Sequence, residues 1–198
     1  MIKVLIFDVG GVITFTDFET LYSNFAQRVG LSMDFFENYY RPHFQEMVTG
    51  KISLENLWEE MRKAGARSEL DYKKIWLEEA SKVRKVNEEL LKFIDSLRGK
   101  YKVGILSNLT PTRHIVDEEI GLYKYFDFSV LSFEVGCRKP DQKIFEIALN
   151  KAETKAEEVI FIDDREEMTK AAWELGIKSI VYKDNQQLFL ELSSVDIL

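Results

Sequence analysis

Cysteine is almost absent from this sequence of 198 residues, in which Cys137 is the single example. One thiol excludes an internal disulfide and a zinc site built from cysteines. A chain without these features suits a reducing compartment, where disulfides rarely persist. We therefore predict a cytoplasmic protein.

The sequence also lacks a surplus of positive charge. Lysine and arginine number 27 against 34 aspartate and glutamate residues, which gives a net charge of −7 at pH 7. No stretch concentrates basic residues in the way that a nucleic-acid footprint or a membrane-surface helix does. The charge pattern therefore predicts neither a nucleic-acid partner nor a membrane partner.

The apolar N-terminal run, Met1 to Ile13, is too short to cross a bilayer. Asp8 interrupts the run and no small-residue cleavage site follows it, so it predicts a buried strand rather than a signal peptide. Hydrophobic residues make up 45% of the chain and charged residues 31%, which is too apolar for a disordered protein. This length allows one sizeable core with a small inserted module.

Three apolar runs predict strands that are buried on both faces of a parallel sheet. The runs span residues 2–7, 103–106 and 159–162, and they are rich in β-branched side chains. Residues 126–131 and 178–182 are shorter candidate strands. Helical stretches lie between the strands, and this alternation is typical of βαβ units with a parallel sheet.

One region breaks the alternation, because every periodic segment from Thr16 to about Val86 reads as helical. Thr16 and Glu19 are spaced as a capping box, and Ser53 is a second candidate helix cap. About four helices are therefore predicted directly after the first strand. They interrupt the sheet-forming part of the chain without a low-complexity linker.

The predicted fold class is α/β, with a Rossmann-like parallel sheet core and an inserted all-helical cap. We assign residues 1–15 and 87–198 to the core and residues 16–86 to the cap. Within the core, Asn87 is the predicted cap of one helix. Two further helices are predicted to begin with a proline at their first helical position, at Pro111 and Pro140.

Polar residues follow the three long strands at their carboxyl ends. They are Asp8 after the first strand, Ser107 and Asn108 after the second, and Asp163 and Asp164 after the third. Ligands of open parallel sheets bind at this edge, so these side chains are expected to converge if the strands are neighbours. Converging carboxylates repel one another unless a hard cation lies between them, and Mg²⁺ with a phosphate meets that need.

Four motifs are spread over nearly the whole chain. They are Ile-Phe-Asp-Val-Gly-Gly-Val at 6–12, Leu-Ser-Asn at 106–108, Gly-Cys-Arg-Lys-Pro-Asp at 136–141 and Phe-Ile-Asp-Asp at 161–164. In these motifs the sequence resembles the haloacid dehalogenase-like superfamily. Its layout looks most like that of the small α-capped sugar-phosphate phosphatases.

The resemblance implies specific roles for residues near the phosphoryl group. Asp8 matches the family nucleophile, whose carboxylate attacks phosphorus to form an aspartyl-phosphate. Lys139 matches the catalytic cation that screens the nucleophile from the anionic substrate. Ser107 and Asn108 match the motif that binds the phosphoryl oxygens.

The resemblance also implies a Mg²⁺ site made of Asp8, the Gly10 carbonyl, Asp163 and Asp164. The expected activity is a Mg²⁺-dependent phosphatase that hydrolyses a small phosphorylated metabolite through the aspartyl-phosphate on Asp8. A sugar phosphate or another phosphomonoester with a good leaving group is the expected substrate. A monomer or a homodimer is the expected state.

Gly10 departs from the family pattern, because most family phosphatases have a second aspartate there as general acid and base. Three explanations are open. Leaving groups of low pKa need little protonation, and bacterial α-glucose-1-phosphatases, which the sequence resembles, also have glycine. Asp17 is a second candidate proton donor. Haloacid dehalogenation needs no second aspartate, but it also needs no metal, and the pair Asp163 and Asp164 argues against it.

Met168 is a second departure, at a position where the family usually has Asn or Asp. Loss of a polar group that orients metal ligands weakens metal sites. Gly10 and Met168 together keep open an alternative from another class, a catalytically degenerate binding or interaction module. The joint presence of Asp8, Ser107 and Lys139 favours the enzyme.

Overall fold

Strand β1 occupies the centre of a five-stranded parallel sheet in the computed structural model, which describes residues 1–195 and 197. The strand order is β5-β4-β1-β6-β7. The two shorter candidate strands form the outer positions of this sheet. The strands are β1 (Val4–Phe7), β4 (Lys102–Ser107), β5 (Phe128–Leu131), β6 (Val159–Asp163) and β7 (Lys178–Val181).

Helices cover both faces of the sheet, which explains why its strands read as nearly continuous apolar runs. Leu5 and Phe7 face a core that α5 (Glu88–Leu97) and α10 (Asn185–Ser193) complete. Val4 and Ile6 face a core that α8 (Gln142–Ala152) and α9 (Glu166–Glu174) complete. The predicted α/β class is confirmed. The helices of this part are α5 (Glu88–Leu97), α6 (Pro111–Glu119), α7 (Ser132–Val135), α8 (Gln142–Ala152), α9 (Glu166–Glu174) and α10 (Asn185–Ser193).

The predicted helix starts in this part are correct in two cases and wrong in one. Asn87 and Thr110 cap α5 and α6 through their side chains, and Pro111 is the first residue of α6. Pro140 does not begin a helix, because α8 starts two residues later at Gln142. The segment before Gln142 instead presents the preceding lysine to the sheet edge.

A short antiparallel ribbon of β2 (Thr14–Thr16) and β3 (Arg84–Val86) flanks the inserted helices, and in it Thr14 is opposite Val86. This ribbon lies where the two predicted domains meet, and the exact bounds of those domains stay a prediction. Between the ribbon strands lie α1 (Phe18–Val29), a π-helical turn (Phe36–Tyr40), α2 (Phe44–Val48), α3 (Leu54–Lys63) and α4 (Tyr72–Val83).

Aromatic side chains of the inserted helices form their own core. Tyr22 stacks on Phe36 with ring centres 4.7 Å apart, and Phe25 meets Trp76 edge to face at 5.0 Å. All four rings are buried. These residues therefore pack the helices together and are not available to line a substrate pocket.

The first inserted helix begins one residue later than the capping pattern predicts. Asp17, and not Thr16, caps α1: its carboxylate accepts hydrogen bonds from the Thr20 amide at 3.1 Å and the Thr20 hydroxyl at 2.7 Å. The predicted cap at Ser53 is correct, and Asn56 completes a reciprocal capping box there.

Candidate active site

Asp8 follows β1 at the carboxyl edge of the sheet. In the parallel register Phe7 is opposite Ile105 on β4 and Ile162 on β6, so the residues after these strands leave the sheet side by side. Asp8 is buried, and its Oδ1 lies 3.0 Å from Lys139 Nζ. The strand neighbours that the sequence analysis required are therefore in place.

Lys139 is the central cation of this site. Its side chain has 0% exposure, and its Nζ lies 2.5 Å from Asp163 Oδ2 as well as 3.0 Å from Asp8 Oδ1. A buried ammonium group is stable only when partners compensate its charge, and these two carboxylates supply that compensation. The ammonium group is consequently held between the two strand ends.

Asn108 positions the backbone of Lys139. Its side-chain amide donates to the Lys139 carbonyl at 2.8 Å, and its side-chain oxygen accepts from the Lys139 N–H at 2.8 Å. This reciprocal pair ties the segment before α8 to the end of β4. Both polar atoms of the Asn108 side chain therefore bind the backbone of Lys139. Ser107, also at the end of β4, is buried and lines the same cavity as Asp8.

Three carboxylates meet at the strand ends. Oxygen atoms of Asp8, Asp163 and Asp164 all lie within 4.8 Å of one another. Burial raises the pKa of Asp163 to about 6, with Asp8 adding to the rise and Lys139 opposing it. Burial and Asp8 also raise the pKa of Asp164. The Lys139 ammonium group and the exposed guanidinium group of Arg165, whose Nε lies 3.9 Å from Asp163 Oδ1, do not balance three clustered carboxylates. The residues therefore fit a hard divalent cation such as the predicted Mg²⁺.

A buried oxygen of Asp8 also supports the binding of a divalent cation at this site. Asp8 Oδ1 is buried and makes no hydrogen bond of normal geometry within the described part of the chain, despite the nearby ammonium group. The ammonium group at 3.0 Å is the ion-pair partner of this oxygen, and a metal ion would supply the further ligand contact that a buried carboxylate oxygen can accept. Gly10, the other predicted contributor to the metal site, is exposed and lines the cavity, where its carbonyl is the group that the prediction uses.

Gly11 sets how closely the first loop approaches Asp164. Its φ is +82°, a conformation that glycine adopts readily, and a Cβ at this position would lie 2.2 Å from Asp164 Oδ2. A side chain at residue 11 would therefore force the Asp164 carboxylate away from the loop after β1.

Replacing Gly11 with alanine is expected to weaken Mg²⁺ binding by about 10- to 100-fold, because the new methyl group displaces Asp164 from the cluster. Calorimetric titration with Mg²⁺ measures the change. Gly65→Ala is the matched control, since Gly65 also has positive φ, at +99°, but its Cβ would contact nothing within 4 Å. An equal loss of affinity in both variants would contradict the proposed approach to Asp164.

Two residues that the sequence analysis weighed lie away from this chemistry. The exposed carboxylate of Asp17 is occupied as the cap of α1, and its bonds to Thr20 lower the pKa of Asp17. A carboxyl with a lowered pKa is a poor proton donor. Met168 is buried in the apolar core beneath the sheet, so it packs α9 and presents no polar atom to the metal site.

The cavity above Asp8 has a volume of about 460 Å³ and contains charged residues that the motifs do not include. Arg84 comes from β3, while Arg113 and Asp117 come from α6, and all three line the cavity. Arg113 and Asp117 are four residues apart on α6, whereas Arg84 is on a strand that is distant in the sequence. No local pattern therefore marks the three residues as one group.

A family model described as haloacid dehalogenase-like hydrolase matches residues 2–176. The chain belongs to this family, as predicted. The strand-end aspartates and the buried lysine described above lie within the matched residues.

Two phosphatases and one epoxide hydrolase are among the proteins to which the chain is similar in sequence. The chain is 27% identical to D-ribitol-5-phosphate phosphatase from Bacteroides thetaiotaomicron, covering 90% of this chain and 91% of the relative. It is 30% identical to a phosphorylated carbohydrates phosphatase from Thermotoga maritima, covering 90% and 83%. It spans 39% of the length of bifunctional epoxide hydrolase 2 from Rattus norvegicus, at 25% identity over 98% of this chain.

A solved structure is similar over nearly the whole chain. It is a HAD family enzyme from Bacteroides thetaiotaomicron in complex with magnesium and inorganic phosphate, with a TM-score of 0.76 and 26% identity. The match covers 96% of this chain and 100% of that chain. Among the described residues, none of the helices combines the length and hydropathy that a membrane crossing requires.

Proposed function

We propose that this chain is a Mg²⁺-dependent phosphatase of small phosphorylated metabolites, with Asp8 as the nucleophile. The observation that carries the proposal is the buried Asp8 carboxylate, 3.0 Å from Lys139 Nζ, beside two further aspartates. The phosphatase relatives and the magnesium-phosphate complex of a similar structure support the same activity.

The first step forms a bond between Asp8 and phosphorus while the bond to the leaving-group oxygen breaks. Lys139 lowers the repulsion between the carboxylate nucleophile and the anionic phosphate, and Asp163 holds the ammonium group in place at 2.5 Å. Ser107 is positioned at the cavity wall to donate to a phosphoryl oxygen. Water then attacks phosphorus, which releases phosphate and regenerates the Asp8 carboxylate.

The metal site in this proposal consists of Asp8, Asp163, Asp164 and the Gly10 carbonyl. Bound Mg²⁺ would neutralise charge on the phosphoryl oxygens and help to orient them. Asp163 binds Lys139 through Oδ2 and accepts from the Arg165 amide through Oδ1 at 2.9 Å. It therefore contributes mainly by holding the lysine, and Asp8 and Asp164 are the more available ligands.

Gly10 determines which leaving groups the enzyme can expel. A glycine cannot protonate the departing oxygen, so leaving groups of low pKa are favoured. Space for an acid exists, because a Cβ at Gly10 would contact nothing within 4 Å. Position 10 therefore lacks a proton donor even though the loop has room for an acidic side chain.

The test is phosphate release from acetyl phosphate, an aryl phosphate, glucose 1-phosphate and a sugar 6-phosphate, with Mg²⁺ or EDTA. We expect release only with Mg²⁺, and faster release as the leaving-group pKa falls. Gly10→Asp is expected to accelerate the sugar 6-phosphate by up to about 10²-fold, the lower end of general-acid effects, and acetyl phosphate much less.

Gly10→Asn is the control for this variant, because it has the same shape and no acidic proton. Equal acceleration by both variants, or equal acceleration of all substrates, would contradict the leaving-group explanation. No release from any substrate, with Mg²⁺ binding intact, would instead favour the degenerate binding module.

A further inference from the structure

Charged residues form a second polar cluster in the cavity that holds Asp8. Its members are Arg84 on β3 and Arg113 and Asp117 on α6, and all of them line the cavity. None of them belongs to the catalytic or metal site proposed above. Because they face the same space as the nucleophile, they are placed to contact the part of a substrate that lies beyond its phosphate.

Arg84 and Asp117 form a buried ion pair with unused hydrogen-bonding groups. The side chain of Arg84 is 6% exposed and that of Asp117 is 0% exposed, and Arg84 Nη2 binds Asp117 Oδ1. Arg84 Nε and Asp117 Oδ2 are buried, and neither has a hydrogen-bond partner in the described part of the chain. Leaving a buried donor and a buried acceptor unsatisfied is costly unless a ligand binds them.

Arg113 adds a second guanidinium group, whose positive charge opposes the rise in the pKa of Asp117, four residues further along α6. Its guanidinium carbon lies 4.0 Å from the centre of the Phe18 ring and 5.5 Å from that of Phe44, so aromatic faces hold it in place. Its Nε is buried without a hydrogen-bond partner, and residues 1–195 and 197 place no carboxylate oxygen within 4 Å of it. This cation therefore faces the cavity with unused donors.

The cluster as a whole has two guanidinium groups and one carboxylate. The side chains of Arg84 and Asp117 are almost fully buried, so these charges are poorly hydrated. Burial raises the pKa of Asp117 to about 6, although Arg84 and Arg113 oppose the rise; Asp8 adds to it. The surplus positive charge favours an anionic group on the ligand. A carboxylate matches the fork of N–H donors that a guanidinium group presents.

The free Asp117 Oδ2 adds a second requirement, because it is an acceptor and repels an anion. A hydroxyl group next to the ligand carboxylate satisfies it by donating a hydrogen bond. A simple carboxylate would leave this acceptor unpaired, and a neutral polyol would leave the charge of Arg113 uncompensated. A hydroxy acid satisfies both residues at once.

We infer that the substrate is a phosphorylated hydroxy acid, whose carboxylate binds Arg113 and whose neighbouring hydroxyl donates to Asp117. Arg84 holds Asp117 in place and supplies its Nε to the same hydroxyl or carboxylate oxygen. The inference rests on the proposed phosphatase activity and names the class of compound that the activity acts on. Arg113 and Asp117 are then specificity residues of the cavity.

The experiment compares kcat/KM for erythritol 4-phosphate and 4-phosphoerythronate, in which a carboxylate replaces a hydroxymethyl group. Both compounds release a primary alcohol, so the preference for leaving groups of low pKa slows them equally and does not affect their ratio. Wild-type protein is expected to prefer the acid by at least about tenfold, as is typical of a desolvated charge pair. Arg113→Gln is expected to remove this preference, mainly by raising KM for the acid. Arg113→Lys keeps the charge but not the planar fork, so it should recover only part of the preference.

Arg62→Gln is the control, because Arg62 is exposed on α3 and is absent from the cavity lining. It removes the same charge and is expected to leave the preference unchanged. Circular dichroism of each variant establishes that the fold is intact.

Equal kcat/KM for the two substrates in wild type, or an equal loss of both in Arg113→Gln, would overturn the inference while the phosphatase proposal stands. If the protein releases no phosphate from these compounds or from an aryl phosphate, the phosphatase proposal itself fails. Calorimetric titration with 4-phosphoerythronate and with erythritol 4-phosphate then tests binding to Arg84, Arg113 and Asp117 without turnover. Equal affinities for the two compounds would overturn the inference that this cluster binds a hydroxy acid.

Discussion

Asp8→Asn is expected to lower phosphate release by about 10⁴-fold or more while the protein stays folded. The amide cannot act as the nucleophile, and loss of a group in a catalytic unit removes most of the rate enhancement. Folding should persist, because the substitution removes one of three carboxylates that crowd within 4.8 Å. Release of phosphate from acetyl phosphate with Mg²⁺ measures the loss.

Asp17→Asn is the matched control for Asp8→Asn. Asp17 is an exposed aspartate, and asparagine also caps helices well, so this variant should fold and retain activity. Loss of activity in Asp17→Asn would revive Asp17 as a proton donor. Substantial activity in Asp8→Asn would remove Asp8 as the nucleophile.

Lys139→Met is expected to reduce both activity and stability. The side chain is fully buried, and it lies within 3.0 Å of one carboxylate and 2.5 Å of another. Removing it leaves two buried carboxylates without their cation, which typically costs about 3–5 kcal/mol of unfolding free energy. Urea denaturation without Mg²⁺ measures this loss, since a bound cation would offset part of it.

Two further variants isolate the cause of the Lys139 effect. Lys143→Met removes an exposed lysine from α8 and should change the unfolding free energy by no more than about 0.5 kcal/mol. Adding Asp163→Asn to Lys139→Met should cost less than the two single losses together, because both variants disrupt the same ion pair. Strict additivity would argue that Lys139 and Asp163 are not coupled.

The sheet and the strand-end aspartates could be predicted because local patterns determine them. A strand that is buried on both faces must be apolar along its length, and its first polar residue marks where it leaves the sheet. The strand patterns therefore predict Asp8, Ser107 and Asp163 at the carboxyl edge of the sheet. The resemblance to the haloacid dehalogenase-like family added roles for them, and the family itself is confirmed.

Helix starts were predicted less well, because several neighbouring residues can cap the same helix. Thr16 and Asp17 both have suitable side chains, and the turn out of β2 selects Asp17. A proline after a lysine is compatible with a helix start, yet the Lys139 segment turns toward the sheet edge. Its bonds to Asn108 and Asp163 decide the conformation there.

The sequence by itself determined the class of fold, the edge of the sheet that carries the chemistry and the residues that meet there. Those features depend on burial patterns within single strands. Only the tertiary structure decided that Asn108 braces Lys139, that Met168 is a core residue and that Arg84 reaches Asp117. These contacts join residues from separate elements, and side-chain packing between elements leaves no local signal in the chain.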